Sequence, residues 1–290
     1  MGERNVRITG TTSIVADLAR EVGGSRVDVT GLMGPGIDPH LYKASEGDVQ
    51  RLASADLVVY NGLHLEAKMA EVLERLGGRI KTVAVAEAVP KDQLLAPPEF
   101  AGAYDPHVWH APGLWRHAAE RMRDALIALD SASAAIYKAN TVLFLARLDT
   151  LDRWARDRIA TVPEEMRVLV TAHDAFNYFG RAYGIHVRGL QGISTASEAG
   201  TADVRDLAEF IAQRRIPAVF IESSIPRRTI EAVQAAVNAR GHDVAIGGEL
   251  YSDALGNPGS PAGTYVGMVR ANVETIVVAL GGAPSRGAVP

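Results

Sequence analysis

A chain of 290 residues exceeds the roughly 100–200 residues usual for one domain, so two are expected. Its 34 acidic and 30 basic residues leave a net charge of −4, with no electrostatic footprint for nucleic acid, and its ordinary composition supplies a sizeable core to each half. Cysteine is absent, which excludes disulfides and thiolate metal sites, and no apolar run reaches the ~18 residues of a membrane span.

The opening stretch "MGERNVRITG" shows neither a signal-peptide pattern nor a lipobox. The expectation is a cytoplasmic protein, or one whose targeting segment lies outside this sequence. Strand-like, β-branched runs follow at "VRITG" (6–10), "VDVTGL" (27–32), "DLVVYNG" (56–62) and "IKTVAVA" (80–86). Between them stand amphipathic helical patterns, "TSIVADLAREVG" and "LEAKMAEVLERLGG", each closed by glycine. Such alternation predicts a mostly parallel sheet covered by helices.

From Leu114 to Val162 the chain contains neither glycine nor proline. "DSAS" (130–133) offers N-cap residues that divide this run into two helices. The second, over about 133–160, places Tyr137, Phe144, Leu148 and Leu151 on one stripe and would extend roughly 40 Å. It lies where one strand–helix alternation ends and the next begins, so it reads as a stiff rod between two lobes. Near residue 167 the alternation restarts with "RVLVTA", "IHVRGLQG", "PAVFIES" and "HDVAIGG" as strands, and "TYVGMVRANVETIVVAL" closes the second lobe as a helix. The tail after about residue 282 is expected to be flexible.

Two of the eight histidines sit in the same tripeptide, Asp38-Pro39-His40 and Asp105-Pro106-His107, each followed by an aliphatic and an aromatic residue. Proline fixes its own φ and restrains the residue before it, and the aspartate can accept hydrogen bonds from nearby backbone amides. Each histidine therefore leaves a preorganised loop, and the repeat suggests one chemical task performed twice. The clustered glycines of "GLMGPG" supply flexible backbone in front of His40; they lack the lysine and hydroxyl of a phosphate loop.

His173 follows a predicted parallel strand, and Asp253 comes shortly after another. In open α/β sheets the carboxyl ends of strands are where ligands bind. Blander roles exist for each: His173 as a cap for the helix "DAFNYFG", Asp253 as the start of an Asx-turn. His64, in "NGLHLE", is a candidate neighbour of the same cleft. His110, His117, His186 and His242 read as structural or exposed. "TASE" (195–198) fits a capping box, with Thr195 and Glu198 sealing a helix start. No HExxH, GxSxG, Walker loop or strand-following GxGxxG is present.

Together "GLMGPGIDPHLYKAS", "ADLVVYNGLHLEAKM", "DPHVW", "VLVTAHDAFNYFGRAYGI", "GLQGISTASEAG", "FIESSIP" and "GGELYSDALG" resemble the TroA-like zinc/manganese-binding proteins, the extracytoplasmic receptors of metal-importing ABC transporters. The resemblance runs from near residue 6 to near residue 280. It implies an α/β fold of two lobes with mostly parallel sheets, bridged by one long α-helix, with a metal site in the cleft. The expected division is an N-terminal lobe over 1–131, the linking helix over 132–161 and a C-terminal lobe over 162–290. Carried over by motif, the ligands are His40 and His107 from the first lobe and His173 and Asp253 from the second.

The resemblance also implies a membrane permease as partner and a place in the periplasm or on a lipid anchor at the outer face of the cytoplasmic membrane, with the export signal outside this sequence. A monomer that binds no organic substrate is expected. Three imidazoles and a carboxylate suit Zn2+ first, with Mn2+ second through a bidentate Asp253. Glu222 is the candidate to support a ligand histidine from behind. The His-rich loop of zinc-specialised relatives is missing, since "KDQLLAPPEFAGAYDPH" holds no histidine before His107. The alternatives to metal capture are a zinc-dependent hydrolase, which would need an open metal position and a general base, and a metal-stabilised surface adhesin.

Overall fold

Parallel strands with glycine-closed crossover helices account for the first third of the chain. The computed structural model describes residues 4–100 and 102–284. Strands β1 (Val6–Gly10), β2 (Val27–Gly31), β3 (Leu57–Tyr60) and β4 (Lys81–Ala84) form one parallel sheet in the order β2-β1-β3-β4. Helix α1 (Ser13–Gly23) starts where the Thr12 hydroxyl accepts the Val15 N–H and buries Ile14, Val15, Leu18 and Val22. Helix α2 (Glu46–Ser54) opens with a reciprocal Ser45/Asp48 capping box, and α3 (Ala70–Gly77) leads into β4.

The glycine-free run forms two helices, α4 (Pro112–Leu129) and α5 (Ala134–Ile159). The break lies at "DSAS" as expected, but as a 3-10 turn with no side-chain cap from Ser133; the Asp130 carboxylate accepts the Tyr137 hydroxyl instead. Helix α5 has 26 residues, about 39 Å of helix. Its stripe of Tyr137, Thr141, Phe144, Leu148, Leu151, Ala155 and Ile159 is buried, and the helix packs on α1 and α4.

The second lobe is built from β5 (Val168–His173) paired in parallel with β6 (His186–Gln191), and β7 (Ala218–Glu222) paired in parallel with β8 (Ala245–Leu250). Strands β5 and β7 run side by side. Around them lie α6 (Asn177–Tyr183), α7 (Thr201–Arg214), α8 (Arg228–Asn238) and α9 (Tyr265–Ala279). Helix α5 also packs on α6 and α9, so this one rod touches both lobes. The largest apolar core is continuous across it, from Ile8 and Leu57 through Trp115 and Phe144 to Tyr178, Phe220 and Val273.

One expectation needs correction. No helix begins at "TASE": residues 195–200 are irregular, Glu198 is exposed, and α7 starts at Thr201, where the Asp203 carboxylate accepts the Gly200 N–H. The Thr195 hydroxyl is engaged elsewhere. At the C-terminus the Gly282 N–H donates to the Val277 carbonyl and Arg158 to the Ala283 carbonyl. The flexible tail expected after about residue 282 falls mostly on residues 285–290, outside the described residues. Among the described residues no helix is long and apolar enough to cross a membrane.

One junction between the lobes carries a buried charge. The Asp17 carboxylate on α1 accepts the Tyr265 N–H at the start of α9, and burial pushes its pKa up to about 6. A carboxyl whose pKa rises on folding stabilises the fold fully below its unfolded value near 4 and loses that contribution as pH climbs through 6. Asp17→Asn keeps the acceptor and removes the charge. It should therefore raise the stability of the metal-free protein at pH 7.5 by on the order of 2 kcal/mol, with the advantage gone at pH 4. Thermal melts at the two pH values check this.

Candidate metal centre

The first DPH motif leaves β2 on a loop free of helix and strand, and the second precedes a 3-10 turn over Val108–His110. In both, proline and aspartate set the histidine locally: Asp38 Oδ1 accepts the His40 N–H at 2.8 Å, and Asp105 Oδ1 accepts the His107 N–H at 2.9 Å. His173 is the last residue of β5, and Asp253 follows β8. All four side chains are buried, and their donor atoms lie within 4.8 Å of one another.

Separations within the group are informative. His40 Nε2 is 3.3 Å from His107 Nε2, His107 Nε2 is 3.5 Å from Asp253 Oδ1, and His173 Nε2 is 3.4 Å from Asp253 Oδ2. A tetrahedron around an ion with ligands at 2.0–2.1 Å has edges of about 3.3–3.4 Å. These three contacts, which involve both Asp253 oxygens, are near that spacing, and one donor from each residue can be chosen with all four within 4.8 Å. His173 Nε2 and Asp253 Oδ1 have no hydrogen-bond partner although both are fully buried. Buried polar atoms are rarely left unpaired, so two orphans aimed at one point fit a cation-binding cage.

Carboxylates behind the rings decide which nitrogen faces inward. His107 Nδ1 is 2.7 Å from Asp105 Oδ1, and His173 Nδ1 is 2.6 Å from Glu222 Oε2. Glu222 Oε1 also accepts the His173 backbone N–H at 2.8 Å. With each Nδ1–H donated backward, the Nε2 lone pair points into the site. Ser224 donates to Asp253 Oδ2 at 3.2 Å.

Charge is distributed unevenly over the group. Burial pushes the His40 imidazole down to about 3, so it is neutral at physiological pH. Burial also works against the His173 cation, but Glu222 and Asp253 outweigh it and raise its pKa well above the usual imidazole range. Burial favours a neutral Asp253, yet His173, followed by His107 and His40, holds the carboxyl well below its ordinary value.

The structure thus brings His40, His107, His173 and Asp253 together and puts Glu222 behind His173. His64 does not join them. It is exposed, with φ of 66°, and lines a separate cavity of about 720 Å³ with Tyr60 and Glu87. Glu66 Oε1 accepts the Asn61 N–H and Oε2 the Gly62 N–H, which folds the chain into a left-handed turn and turns His64 away. Asp105 escaped the sequence reading as a site residue, although the repeated DPH tripeptide was a signal for it. His110 is buried, its ring stacked 4.2 Å from that of Phe176, and burial pushes its pKa down to about 3.

A family model described as ZnuA, zinc-uptake complex component A, periplasmic, matches residues 8–279. The zinc-binding protein TroA of Treponema pallidum (strain Nichols) is 50% identical over 273 residues, which cover 94% of this chain and 88% of that protein. The manganese-binding lipoprotein MntA of Bacillus subtilis (strain 168) is 48% identical over 278 residues, covering 96% of this chain and 90% of that one. The solved structure of the periplasmic zinc-binding protein TroA from Treponema pallidum matches with a TM-score of 0.93 at 49% identity, over 95% of this chain and 99% of that one.

Gly189 on β6 bears on His173 through its backbone. A Cβ there would lie 2.6 Å from the His173 carbonyl carbon and the Asp174 nitrogen. Gly189→Ala should therefore displace the end of β5, lowering stability by about 1–3 kcal/mol and weakening zinc binding at least tenfold. Denaturant unfolding and zinc titration of the variant check both effects. The raised pKa of His173 makes a second expectation. A dication needs the neutral ring and so competes with protons for His173: binding near pH 7 should release up to one proton, and affinity should fall on acidification by at most about tenfold per pH unit. Calorimetry in buffers of different ionisation enthalpy measures the count; zero protons released would contradict the assignment.

Proposed function

The chain belongs to the ZnuA family of periplasmic zinc-uptake components, and we propose that it captures a divalent transition-metal ion outside the cytoplasm and delivers it to the permease of an ABC importer. The ion is cargo. The observation that carries this reading is the buried His40, His107, His173 and Asp253 group, drawn from both lobes with donors spaced for one ion.

We assign Zn2+ as first choice and Mn2+ as second. Three imidazole nitrogens and one carboxylate form a borderline donor set, which favours zinc; manganese prefers more oxygen, which Asp253 supplies only if both its oxygens bind. Relatives named for zinc and for manganese are almost equally similar, at 50% and 48% identity, so similarity does not rank the metals and the donor chemistry must. Magnesium and calcium suit the site poorly because hard cations take oxygen ligands.

A hydrolase would keep three protein ligands, an open position for water and a free carboxylate as base. Here four groups surround the point, and Glu222 uses both oxygens on His173. The reading therefore excludes catalysis as the main role. It includes the division into lobes over 1–131 and 162–290 joined by a helical segment over 132–161, supported by the position of α5 between the two sets of strands.

Because ligands come from both lobes, metal should stabilise the whole fold by mass action. At 100-fold excess over its dissociation constant zinc should add about 2.7 kcal/mol and raise the melting temperature of metal-stripped protein. His173→Ala removes a donor and leaves Glu222 without its ring partner, so zinc affinity should fall by roughly two orders of magnitude or more. Melting curves with and without zinc or manganese, together with elemental analysis of the purified protein, test the proposal. An unchanged curve with either metal would overturn it.

A further inference from the structure

The four donors are not anchored alike. The segment before and through His107 is tied to the second lobe: Tyr178 donates to the Asp105 carbonyl at 2.8 Å, Asn177 to Asp105 Oδ2 at 3.1 Å, and Trp109 Nε1 to the Ser252 carbonyl at 2.9 Å. His173 ends a strand, and Asp253 follows one directly. His107, His173 and Asp253 therefore share one frame, although His107 precedes the linking helix in the chain.

His40 stands on different ground. Residues 34–41 belong to no helix or strand, begin with Gly34-Pro35-Gly36, and expose Ile37 and Leu41. Among the described residues, the hydrogen bonds that leave this stretch are the one between His40 and His107, inside the site, and one from Thr195 Oγ1 to Asp38 Oδ2 at 2.6 Å. Asp38 uses its other oxygen to accept the His40 backbone N–H. One carboxylate thus links a side chain of the second lobe to the backbone of a ligand residue in the first. Thr195 is buried, and its own loop is held by Gln191 donating to the Ser197 carbonyl and by Asp174 N–H donating to Gly192.

We propose that Thr195 is a positioning residue that latches the His40 loop across the cleft and thereby sets how long the ion stays bound. This rests on the metal-capture reading above. A short hydrogen bond from a hydroxyl to a carboxylate is among the stronger neutral-to-charged contacts. Without it, no hydrogen bond among the described residues holds the loop from outside the site, so His40 leaves the ion more often. The three remaining donors stay in place, and the ion then escapes from a partial cage.

The experiment is a stopped-flow chase of zinc-loaded protein with excess chelator, for wild type, Thr195→Val and Thr195→Ser, alongside melting curves of the metal-free proteins. Valine keeps the shape and removes the hydroxyl; serine keeps the hydroxyl. Zinc should leave Thr195→Val roughly tenfold faster than wild type, or more, from the loss of a hydrogen bond to a charged group. Thr195→Ser should stay near the wild-type rate and melt with wild type when metal-free, and metal-free Thr195→Val, which loses one part-buried hydrogen bond, should melt only about 2–4 °C lower. If Thr195→Val releases zinc at the wild-type rate, or Thr195→Ser is as fast as the valine variant, the latch is wrong while metal capture stands. A metal-free Thr195→Val that melts markedly lower would make Thr195 a folding residue and also overturn the latch. A wild type that retains no zinc would sink the metal-capture reading itself.

Discussion

Two buried contacts, His107 Nδ1 with Asp105 and His173 Nδ1 with Glu222, govern the centre of this molecule. An imidazole offers either nitrogen to an ion, and a free ring in a cleft would sample both tautomers and many orientations. A carboxylate behind the ring removes that freedom before any ion arrives. It fixes the lone pair on Nε2 and increases its basicity. It also gives the buried polar ring a partner, without which desolvation would favour a different side-chain arrangement. The cost is that three carboxyl side chains, those of Asp105, Glu222 and Asp253, are buried around two rings. A dication, or a proton on His173 in its place, offsets their negative charge.

Three of the four donors are held in one frame by contacts with the second lobe. Tyr178, Asn177 and Trp109 weld the His107 segment onto the second lobe, and Tyr265 reinforces the weld by donating to the Trp109 carbonyl. Helix α5 runs beneath, with Phe144 against the ring of Tyr265. The apolar core passes through this region without interruption. Rigidity there comes from packing of large rings, and the glycine-flanked His40 loop, outside helix and strand, forms the remaining wall.

Much of this was legible in the chain. Strand and helix periods are local, and every strand singled out from the sequence occurs within a few residues of its expected place. The DPH repeat correctly signalled aspartates that accept the N–H two residues on, because that contact closes within the tripeptide. The second oxygen of each aspartate was not legible. Asp105 turns it to Asn177 and Asp38 to Thr195, partners 72 and 157 residues away that only the fold brings near. Thr195 and Glu198 looked like a capping box since the spacing is right, but a cap needs a helix to follow, and tertiary contact claimed the hydroxyl first. His64 misled in the opposite way: it stands beside a strand end, yet Glu66 coils the intervening backbone and directs the ring outward.

The unbroken rod has a consequence for communication. A receptor that shuts like a jaw announces its cargo through its outline, and a transporter can read that outline from afar. Here α5 spans both lobes without a glycine or proline to bend at, so the helix itself offers no hinge between them. Ile37 and Leu41 stand bare on the rim beside a ligand histidine, on backbone that no helix or strand fixes, so that histidine is reached from outside without prising the lobes apart.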